Sequence, residues 1–449
     1  MISGAQINVL DYGADPTGVD ASTTAFEAAY ADAVAGGGEV FIPAGTYKVK
    51  VTFNGEAPVR GAGIRRTILV PSDTASYCVR LYGTGVDANL GATLTNCSIV
   101  STAGTGTGLL CGDSSGTGFS NGLVERLEIS GFADNWLINQ AIVCSFKHIY
   151  STGGTYGLRI DSENNVTTCS FESCRMRLND YGIKMEAGLL LDFTNCNSES
   201  NVYKNLWLRS SVTQGPSRWT FNGCWFENVT GGSGDRYSVH LDMQAAVATT
   251  KQTAILFNRC GCFATGFPDV HVDRAQDVVF DRCAFTAFDA TQFTYATGTG
   301  AVRVLLRDCG TLQLAPTEAL YASFPALTYS AGGAFGFRYE FTDVSCKRHT
   351  NYEVISTAAS LTSRQVAYAT TIVVDTSSGS LDINSFVGGS DGQVLRIIKA
   401  ETANNLVIKH NATGTEKIFT ATASDLTLTG REGVTLVCSG STWYEAQYV

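Results

Sequence analysis

The chain has 449 residues, of which 44% are hydrophobic and 16% are charged, and its formal net charge is −10. This balance argues against a nucleic-acid groove, since phosphate binding needs clustered Lys and Arg. No apolar run approaches the ~18 residues of a membrane span, and no basic, apolar leader opens the chain, so we predict neither membrane insertion nor a signal peptide.

The chain opens with the pattern of one short helix followed by strands. Ser22-Thr23 can cap a helix, the apolar positions that follow have helical spacing, and the glycines at 36–38 end it. A strand is predicted over 39–42, before a Pro-Ala-Gly turn. We expect residues 1–50 to cap the open end of a larger β-structure, because a helix there covers unpaired strand edges.

A run of short motifs near the N-terminus points to a fold family. The motifs are Asp11-Tyr12-Gly13-Ala14, Gly18-Val19-Asp20, Gly36-Gly37-Gly38-Glu39-Val40 and Ile42-Pro43-Ala44-Gly45-Thr46-Tyr47. This stretch closely resembles the opening of the pectate-lyase-like right-handed parallel β-helix superfamily, of the type used by bacteriophage tailspikes and polysaccharide depolymerases. The resemblance covers about a tenth of the chain. It implies the fold and not the chemistry, because relatives include lyases, hydrolases and non-enzymatic binding proteins.

A spacing of three residues between Phe and Cys recurs through the middle of the chain. The successive Cys of this series are 22, 28, 36, 23 and 26 residues apart. A constant motif with variable spacers is typical of a solenoid whose coils keep their strands and vary their loops. The pairs are Phe171/Cys174, Phe193/Cys196, Phe221/Cys224, Phe257/Cys260 and Phe280/Cys283, extended by Leu94/Cys97 and Leu306/Cys309.

The repeat predicts an all-β protein with a parallel β-helix of three strands per coil over 51–314, and the resemblance implies a right-handed one. In one coil the first strand covers 183–186, the second ends at Phe193, and the third covers 196–198. The bend before each Cys is short, whereas the loops that flank the first strand are long. We expect a sugar-binding groove along the first strands, because long loops border it there.

The repeat ends near residue 314, and residues 315–366 are predicted to be a transitional segment. Over 367–449, short strands separated by Gly, Asn and Ser predict an antiparallel β-sandwich or jelly roll. The end of this segment looks like the small β-domains at the C-termini of phage tail proteins. The resemblance implies that such a domain holds trimers together or binds carbohydrate.

The chain has 14 Cys, most of them at regular places in the coils. This regularity predicts buried, reduced side chains that act as small interior hydrophobes, and a chain folded in a reducing cytoplasm. We predict no cofactor and no metal. Clusters of His and Asp such as His240, Asp242, His271 and Asp273 could bind a divalent cation in principle, but neighbouring strands produce such clusters without a ligand.

Aligning the first strands of successive coils places their outward side chains in two columns. Neighbouring coils should stand about 4.8 Å apart, so that successive members touch. Such a stripe suits acid/base or nucleophilic catalysis on a glycan, and the alternative is a solvated face of exposed ion pairs. The two columns contain Arg159, Lys184, Trp207, His240, His271 and Arg303, and Asp161, Glu186, Arg209, Asp242 and Asp273.

The second column supplies the predicted catalytic carboxyl groups. Asp161/Glu186 and Asp242/Asp273 are adjacent-coil pairs, which suits the separation of about 5 Å found in retaining glycosidases. Glu186 and Asp242 flank Arg209 and suit the separation of roughly 6.5–9.5 Å found in inverting ones. Crowding carboxylates together raises one pKa and provides a proton donor.

A second carboxylate pair and several aromatic residues complete the candidate site. Glu199 and Glu227 follow the third strand in consecutive coils and are also predicted to be catalytic. Exposed Trp and Tyr side chains suit stacking on sugar faces. The expected substrate-binding residues are Arg159, Lys184, Trp207, Arg209, Trp225, Tyr237, His240 and His271.

These residues and the resemblance together predict a trimeric phage tailspike that hydrolyses capsular or O-antigen polysaccharide within the chain. A polysaccharide lyase on the same scaffold is the alternative, with Lys184, Arg209, His240 or His271 as base or carboxylate neutraliser. A non-catalytic receptor-binding spike is a third hypothesis. The expected partners are a bacterial surface polysaccharide, two further copies of the chain and a phage tail or baseplate adaptor, in a virion that acts at the host cell surface.

Overall fold

The structure is a computed structural model that divides into two compact units. One comprises Met1–Thr299 with Cys309–Ala315, and the other comprises Gly300–Asp308 with Pro316–Val449. Within the described ranges, no helix has the length and apolarity that crossing a bilayer requires. The described residues are 5–54, 56–73, 76–83, 93–112, 118–161, 166–210, 217–231, 235–243, 255–286, 292–295, 302–311, 335–342, 349–350, 352–355, 360–362, 364–366, 371–387, 389 and 391–446.

The first unit contains one α-helix, α1 (Thr23–Gly36), one 3-10 helix, Val9–Tyr12, and many short strands. The strands before residue 140 are β1 (Gln6–Asn8), β2 (Thr17–Ala21), β3 (Glu39–Ile42), β4 (Gly45–Val49), β5 (Val51–Phe53), β6 (Val59–Gly61), β7 (Thr67–Pro71), β8 (Tyr77–Leu81), β9 (Thr93–Val100), β10 (Thr107–Cys111), β11 (Phe119–Ser120), β12 (Leu123–Ser130) and β13 (Asp134–Ile138). The next strands are β14 (Ala141–Ile142), β15 (Ser145–Thr152), β16 (Tyr156–Ile160), β17 (Val166–Glu172), β18 (Arg175–Arg177), β19 (Tyr181–Met185), β20 (Leu189–Thr194), β21 (Asn197–Asn201), β22 (Lys204–Ser210), β23 (Ser217–Asn222) and β24 (Trp225–Val229). The last are β25 (Tyr237–Met243), β26 (Ile255–Asn258), β27 (Gly261–Phe263), β28 (Val270–Asp281), β29 (Ala284–Phe285) and β30 (Phe293–Tyr295); β31 (Val302–Arg307) belongs to the second unit, and β32 (Gly310–Thr311) to the first.

These strands form a right-handed parallel β-helix of about twelve turns, which confirms the predicted fold class. Each central coil contributes one strand to each of three columns, and strands within a column pair in parallel. The first column runs β8, β10, β13, β16, β19, β22, β25, the start of β28, and β30. The second runs β17, β20, β23, β26 and the end of β28, and the third runs β18, β21, β24, β27, β29 and β32.

The Phe residues of the repeat stack along the second column in the interior. Phe171 and Phe193 have ring centroids 4.2 Å apart, and Phe221 and Phe257 have centroids 4.8 Å apart. All of these rings are fully buried. The stack therefore forms a continuous apolar core that joins each coil to the next, as the spacing predicted.

Each Cys of the repeat links two coils. The thiol of Cys196 donates to the carbonyl of Phe171 in the preceding coil (3.4 Å), and Cys260 bonds Phe221 in the same way (3.2 Å). The residue before each Cys of the repeat has a positive φ, for example 53° at Asn195. The Phe-x-x-Cys motif is thus a tight bend with one left-handed residue, and its Cys thiol donates a hydrogen bond to the preceding coil.

The helix α1 begins and ends where the sequence predicted. Its C-cap, Gly37, has φ 63°, a conformation that glycine adopts without strain. Phe26 packs edge-on against Tyr47 (5.5 Å between centroids), and Tyr30 packs against Phe53 (5.0 Å). The apolar face of α1 therefore covers the first coils.

The second unit is a separate β-structure with its own core. Its strands pair both in parallel and antiparallel, so the sheet that the sequence predicted as antiparallel is mixed. One sheet has the order β35-β37-β40-β44-β45-β42-β39-β36 and another β38-β41-β43, and β31 pairs with β33. The remaining strands are β33 (Phe335–Thr342), β34 (His349–Thr350), β35 (Tyr352–Ile355), β36 (Arg364–Gln365), β37 (Thr371–Val374), β38 (Leu381–Ile383), β39 (Ser385–Val387), β40 (Val394–Lys399), β41 (Leu406–Ile408), β42 (Glu416–Phe419), β43 (Leu426–Leu428), β44 (Gly433–Ser439) and β45 (Thr442–Glu445).

Candidate functional site

The outer face of the first column carries the predicted row of basic and aromatic side chains. Register pairs Arg159 with Lys184, Lys184 with Trp207, Trp207 with His240, and His240 with His271. Five residues from five successive coils therefore lie side by side, as the strand alignment predicted. The sixth member was wrong, because the next partner of His271 is Thr294 on β30 and not Arg303. We call the outer surface of β13, β16, β19, β22, β25 and the start of β28 the first-column face.

The second predicted row holds only in part. Arg209 pairs with Asp242 as predicted, but the next partner of Asp242 is Arg274 and not Asp273. An extra residue in β28 shifts the register at this point, so Asp273 is the bulged residue. The prediction of Asp242 and Asp273 as equivalent neighbours was therefore wrong, because strand alignment from sequence assumes an unbroken register.

The bulge brings Asp273 to two imidazole rings. Nε2 of His240 lies 2.8 Å from one carboxylate oxygen of Asp273, and Nε2 of His271 lies 3.0 Å from the other. Burial lowers the pKa of His240, although its bond to Asp273 acts in the opposite direction. Burial alone would raise the pKa of Asp273, but the hydrogen bonds with the two histidines hold it well below the usual range of an Asp. Asp273 is therefore a carboxylate.

Three carboxyl groups converge on the guanidinium of Arg159. Its nitrogens lie 3.6 Å from Asp134, 3.2 Å from Asp161 and 3.8 Å from Glu186. A guanidinium is a rigid planar fork, so it fixes the relative positions of the groups that it contacts. We call Asp134, Asp161, Glu186 and Arg159 the carboxylate cluster.

Glu186 lies at the centre of the charged groups on this face. It is 3.0 Å from Nζ of Lys184 and 3.9 Å from Arg209, in addition to its contact with Arg159. Arg209 also approaches Asp242 at 3.7 Å. Glu186 and Asp242 thus flank Arg209 as predicted, and both belong to one network of ion pairs along the face.

Asp134 is a candidate that the sequence analysis missed. Burial raises its pKa, Arg159 lowers it, and the nearby carboxylates of Asp161 and Glu186 raise it further, with a net upward shift. Its Oδ1 is buried and has no hydrogen-bond partner among the described residues. The coil of Asp134 has Phe146 followed by Ile149 where later coils have Phe and Cys, so the repeat gave no marker for it.

Aromatic and lysine side chains form the floor beside these charges. Trp207 lies parallel to the His240 ring at 6.0 Å and within 4.8 Å of the Lys184 ammonium. Lys204, which the sequence analysis also missed, lies 4.3 Å from Trp207, and burial lowers its pKa. Burial, with Asp235 and Asp273 nearby, raises the pKa of Tyr237 to about 12. Trp207 is half-buried, so much of its ring is covered by neighbouring side chains.

Glu199 and Glu227 lie on a different column from the residues above. They are register partners on β21 and β24, which confirms their equivalence in consecutive coils but places them on third strands. Glu199 contacts Arg175 and Arg177, both on β18. Glu227 accepts from the indole N–H of Trp225 (2.6 Å), on its own strand. These two carboxylates and Trp225 therefore form a separate surface group with partners of their own column.

No protein-family model matches the chain, and no curated protein matches it. Among solved structures, the chain is similar to the tailspike protein of Acinetobacter baumannii bacteriophage Fri1, a capsular polysaccharide depolymerase, with 14% identity, a TM-score of 0.51, and coverage of 75% of this chain and 63% of that one. It is also similar to the A-module of an Azotobacter vinelandii mannuronan C-5 epimerase, with 17% identity, a TM-score of 0.51, and coverage of 84% and 94%.

A further match is a protein of a Geobacillus virus, with 15% identity and a TM-score of 0.45. The chain covers 75% of its own length in that match and 60% of the viral protein's length. At 14% and 17% identity, the two likenesses with a TM-score of 0.51 show a shared fold and nothing about activity. The chain has a right-handed parallel β-helix fold, which the epimerase module and the depolymerase share with it.

Proposed function

We propose that the chain is a tailspike-type depolymerase, an endo-acting glycoside hydrolase that degrades bacterial capsular or O-antigen polysaccharide during host recognition. The observation that carries this proposal is the carboxylate cluster, in which Arg159 joins Asp134, Asp161 and Glu186. Glycoside hydrolysis needs two carboxyl groups in different protonation states beside one bond. The likeness to a capsular depolymerase supports the choice of a bacterial polysaccharide as substrate.

In the proposed reaction Asp134 is the general acid. Burial raises its pKa, which is the physical route by which a carboxyl group stays protonated and can donate to a leaving oxygen. Glu186 is the second carboxyl group, acting as base or nucleophile among the cationic groups of Lys184, Arg159 and Arg209. Asp242, across Arg209 from Glu186, extends the charged surface along the bound chain.

The same face offers contacts for several sugar units. Tyr156 and Tyr181 stack with centroids 5.2 Å apart, and Trp207 continues this aromatic row at 5.4 Å from Tyr181. Rings arranged along the solenoid axis match an extended glycan, whose apolar sugar faces pack on aromatic rings. The basic side chains Arg159, Lys184 and Arg209 would then bind hydroxyl or acidic groups of the glycan.

Assembly and location follow from the same proposal. We propose a homotrimer in the virion tail, attached through a tail or baseplate adaptor and acting at the host surface, with residues 367–449 as the trimerisation or carbohydrate-binding domain. Glu199, Glu227 and Trp225 would form an accessory contact surface. A monomeric mass in solution, measured by light scattering, would contradict the trimer.

The proposal is tested by incubating the protein with a panel of purified capsular and O-antigen polysaccharides. We expect one polysaccharide to yield oligosaccharides with new reducing ends, identified by mass spectrometry. Glu186→Gln and Asp134→Asn should each reduce the rate by about 100-fold or more. Glu172→Gln is the matched control, because Glu172 is in an ion pair with Lys147 away from the first-column face. Binding without products over hours would favour the receptor-binding spike instead.

A polysaccharide lyase is the second candidate, favoured by two basic groups on the same face. Burial lowers the pKa of both Lys204 and His240, so each can be an unprotonated base at a lower pH than usual. A lyase needs such a base to remove the proton beside a uronate carboxylate. Products that absorb in the near ultraviolet would identify a lyase, whereas hydrolysis gives products without this absorbance.

A further inference from the structure

We propose that His240, His271 and Asp273 form a binding site for a divalent first-row transition metal such as Zn²⁺. Each residue offers one ligand atom, and the three atoms lie within 4.8 Å of one another. The carboxylate oxygens of Asp273 lie 2.8 Å from Nε2 of His240 and 3.0 Å from Nε2 of His271. This proposal does not depend on the hydrolase function proposed above, and it is an alternative to the role of His240 as a lyase base.

The backbone explains why these three side chains meet. His240 and His271 are register partners on adjacent strands of the first column, with ring centroids 5.2 Å apart. Asp273 is two residues from His271 and therefore projects from the same side of β28. The bulge at Asp273 turns its carboxylate toward His240 as well, so one carboxylate faces two imidazoles.

The neighbouring side chains hold both rings in place. Tyr237 stacks on His271 with centroids 4.1 Å apart and an interplanar angle of 8°. Trp207 lies parallel to His240 at 6.0 Å and 6°. On the far side of His271, Nδ1 is 2.6 Å from the hydroxyl of Thr294. When Nδ1 carries the proton and donates it to Thr294, the lone pair of Nε2 points toward Asp273 and His240. Hydrogen bonds of this kind commonly orient metal-binding histidines.

The donor set selects the class of metal. Two imidazole nitrogens and one carboxylate suit Zn²⁺, Fe²⁺ or Ni²⁺, whereas Ca²⁺ and Mg²⁺ prefer sites made of oxygen alone. Three protein ligands leave a position open in a tetrahedral site. The side chain of Asp273 is 30% exposed, so that position is accessible from the first-column face.

The surrounding charges are compatible with a cation. Lys204 adds positive charge near His240 and opposes metal binding. Burial lowers the pKa of Lys204, whereas the carboxylates of Asp235 and Asp242 raise it, so negative charges lie near Lys204 on this face. His240 is 4% exposed, so one metal ligand is held inside the protein while Asp273 leaves the fourth position open to solvent.

The proposal is tested by calorimetric titration with Zn²⁺ of the 449-residue chain, without a tag and after treatment with a chelator. We expect one equivalent to bind with a dissociation constant in the micromolar range or below, and we expect Ca²⁺ not to bind at this site. His271→Asn and Asp273→Asn should each weaken Zn²⁺ binding by about 100-fold, and Thr294→Val by about 10-fold. His148→Gln is the control, because the His148 side chain is 53% exposed and distant in the chain from this cluster.

Circular dichroism establishes that each variant is folded, and Thr294→Val keeps the test informative if a ligand variant does not fold. Replacing Zn²⁺ by Co²⁺ should give visible absorption bands that disappear in Asp273→Asn. The buried thiols are present in every variant, so a difference between variants reports on this site alone. No Zn²⁺ binding, equal binding in all variants, or a preference for Ca²⁺ would overturn the proposal. All of these measurements use no polysaccharide, so their failure is distinct from a failure of the proposed hydrolase activity.

Discussion

Asp273 stands one residue out of step with Asp242, because β28 carries an extra residue opposite β25. The offset moves Asp273 out of the row that contains Glu186 and Asp242 and places it against His240 and His271. The first-column face therefore has two chemically different parts. One is the carboxylate cluster around Arg159, and the other is a group of imidazoles around a single carboxylate.

Replacing Asp134 by Asn should raise stability at neutral pH while it removes activity. Folding raises the pKa of Asp134, so the ionised Asp134 destabilises the folded state. This destabilisation is absent below the pKa of the unfolded chain, about 3.9, and fully present above the pKa of the folded protein. Thermal unfolding should show a higher Tm for Asp134→Asn than for the parent near pH 7 and no difference near pH 3. Asp192→Asn, at an exposed position on β20, should change Tm at neither pH. A lower Tm at neutral pH would contradict the burial argument.

Replacing Arg159 by Lys should alter both rate and pH dependence. An ammonium cannot hold three carboxyl groups as a guanidinium does, so we expect kcat to fall by about 10-fold or more. Arg159 lowers the pKa of Asp134, and weakening this contact should raise it further. The alkaline limb of the pH–rate profile should then move to higher pH, because the acid keeps its proton longer. An unmoved limb would indicate that Asp134 is not the acid.

Truncating one ring of the interior stack should strongly destabilise the solenoid. Phe221 is fully buried between Phe193 (5.0 Å) and Phe257 (4.8 Å). Phe221→Ala should cost about 3–5 kcal/mol, because it leaves a cavity between two coils. The loss is measured as a shift of the urea unfolding transition. Leu190→Ala, at a residue that is 42% exposed, should change stability by less than about 0.5 kcal/mol.

The cysteines should be unreactive in the folded protein. The 13 that the structure describes are all buried, so a reagent cannot reach them. Burial raises the pKa of Cys97 to about 12, whereas hydrogen bonds lower the pKa of Cys144 and Cys196, which are equally enclosed. An aromatic disulfide reagent near pH 8 should label none of these 13 thiols until the protein unfolds, since a thiolate is the reactive species. An added cysteine at an exposed site, Asp192→Cys, should react at once. Rapid labelling of several native thiols would contradict the packing of the bends.

Much of the architecture could be predicted because each residue of the repeat has a fixed structural role. Phe and Cys occupy the same two positions in each bend, so their spacing gave the coils and the alignment of the first strands. That alignment correctly brought His240 beside His271, which are 31 positions apart in sequence. The helix α1 was equally predictable, since its apolar spacing and its terminal glycines are local signals.

The site could be predicted less well, because its details depend on departures from the repeat. A single extra residue relocated Asp273, and no local signal in the sequence marks it. Asp134 was missed because its coil has Ile149 in place of a Cys. Glu199 and Glu227 were predicted to follow the third strands, but they lie within β21 and β24, and their partners belong to that column and not to the first-column face.

The bend before each Cys has one further consequence for how this protein can diversify. Between coils the interval varies from 22 to 36 residues, while the three-residue step from Phe to Cys stays constant. The thiol contact reaches back to the previous coil from within that step, so the fastening does not depend on the length of chain inserted elsewhere. Segments of new length and composition can therefore be exchanged beside the first strands while the scaffold stays intact.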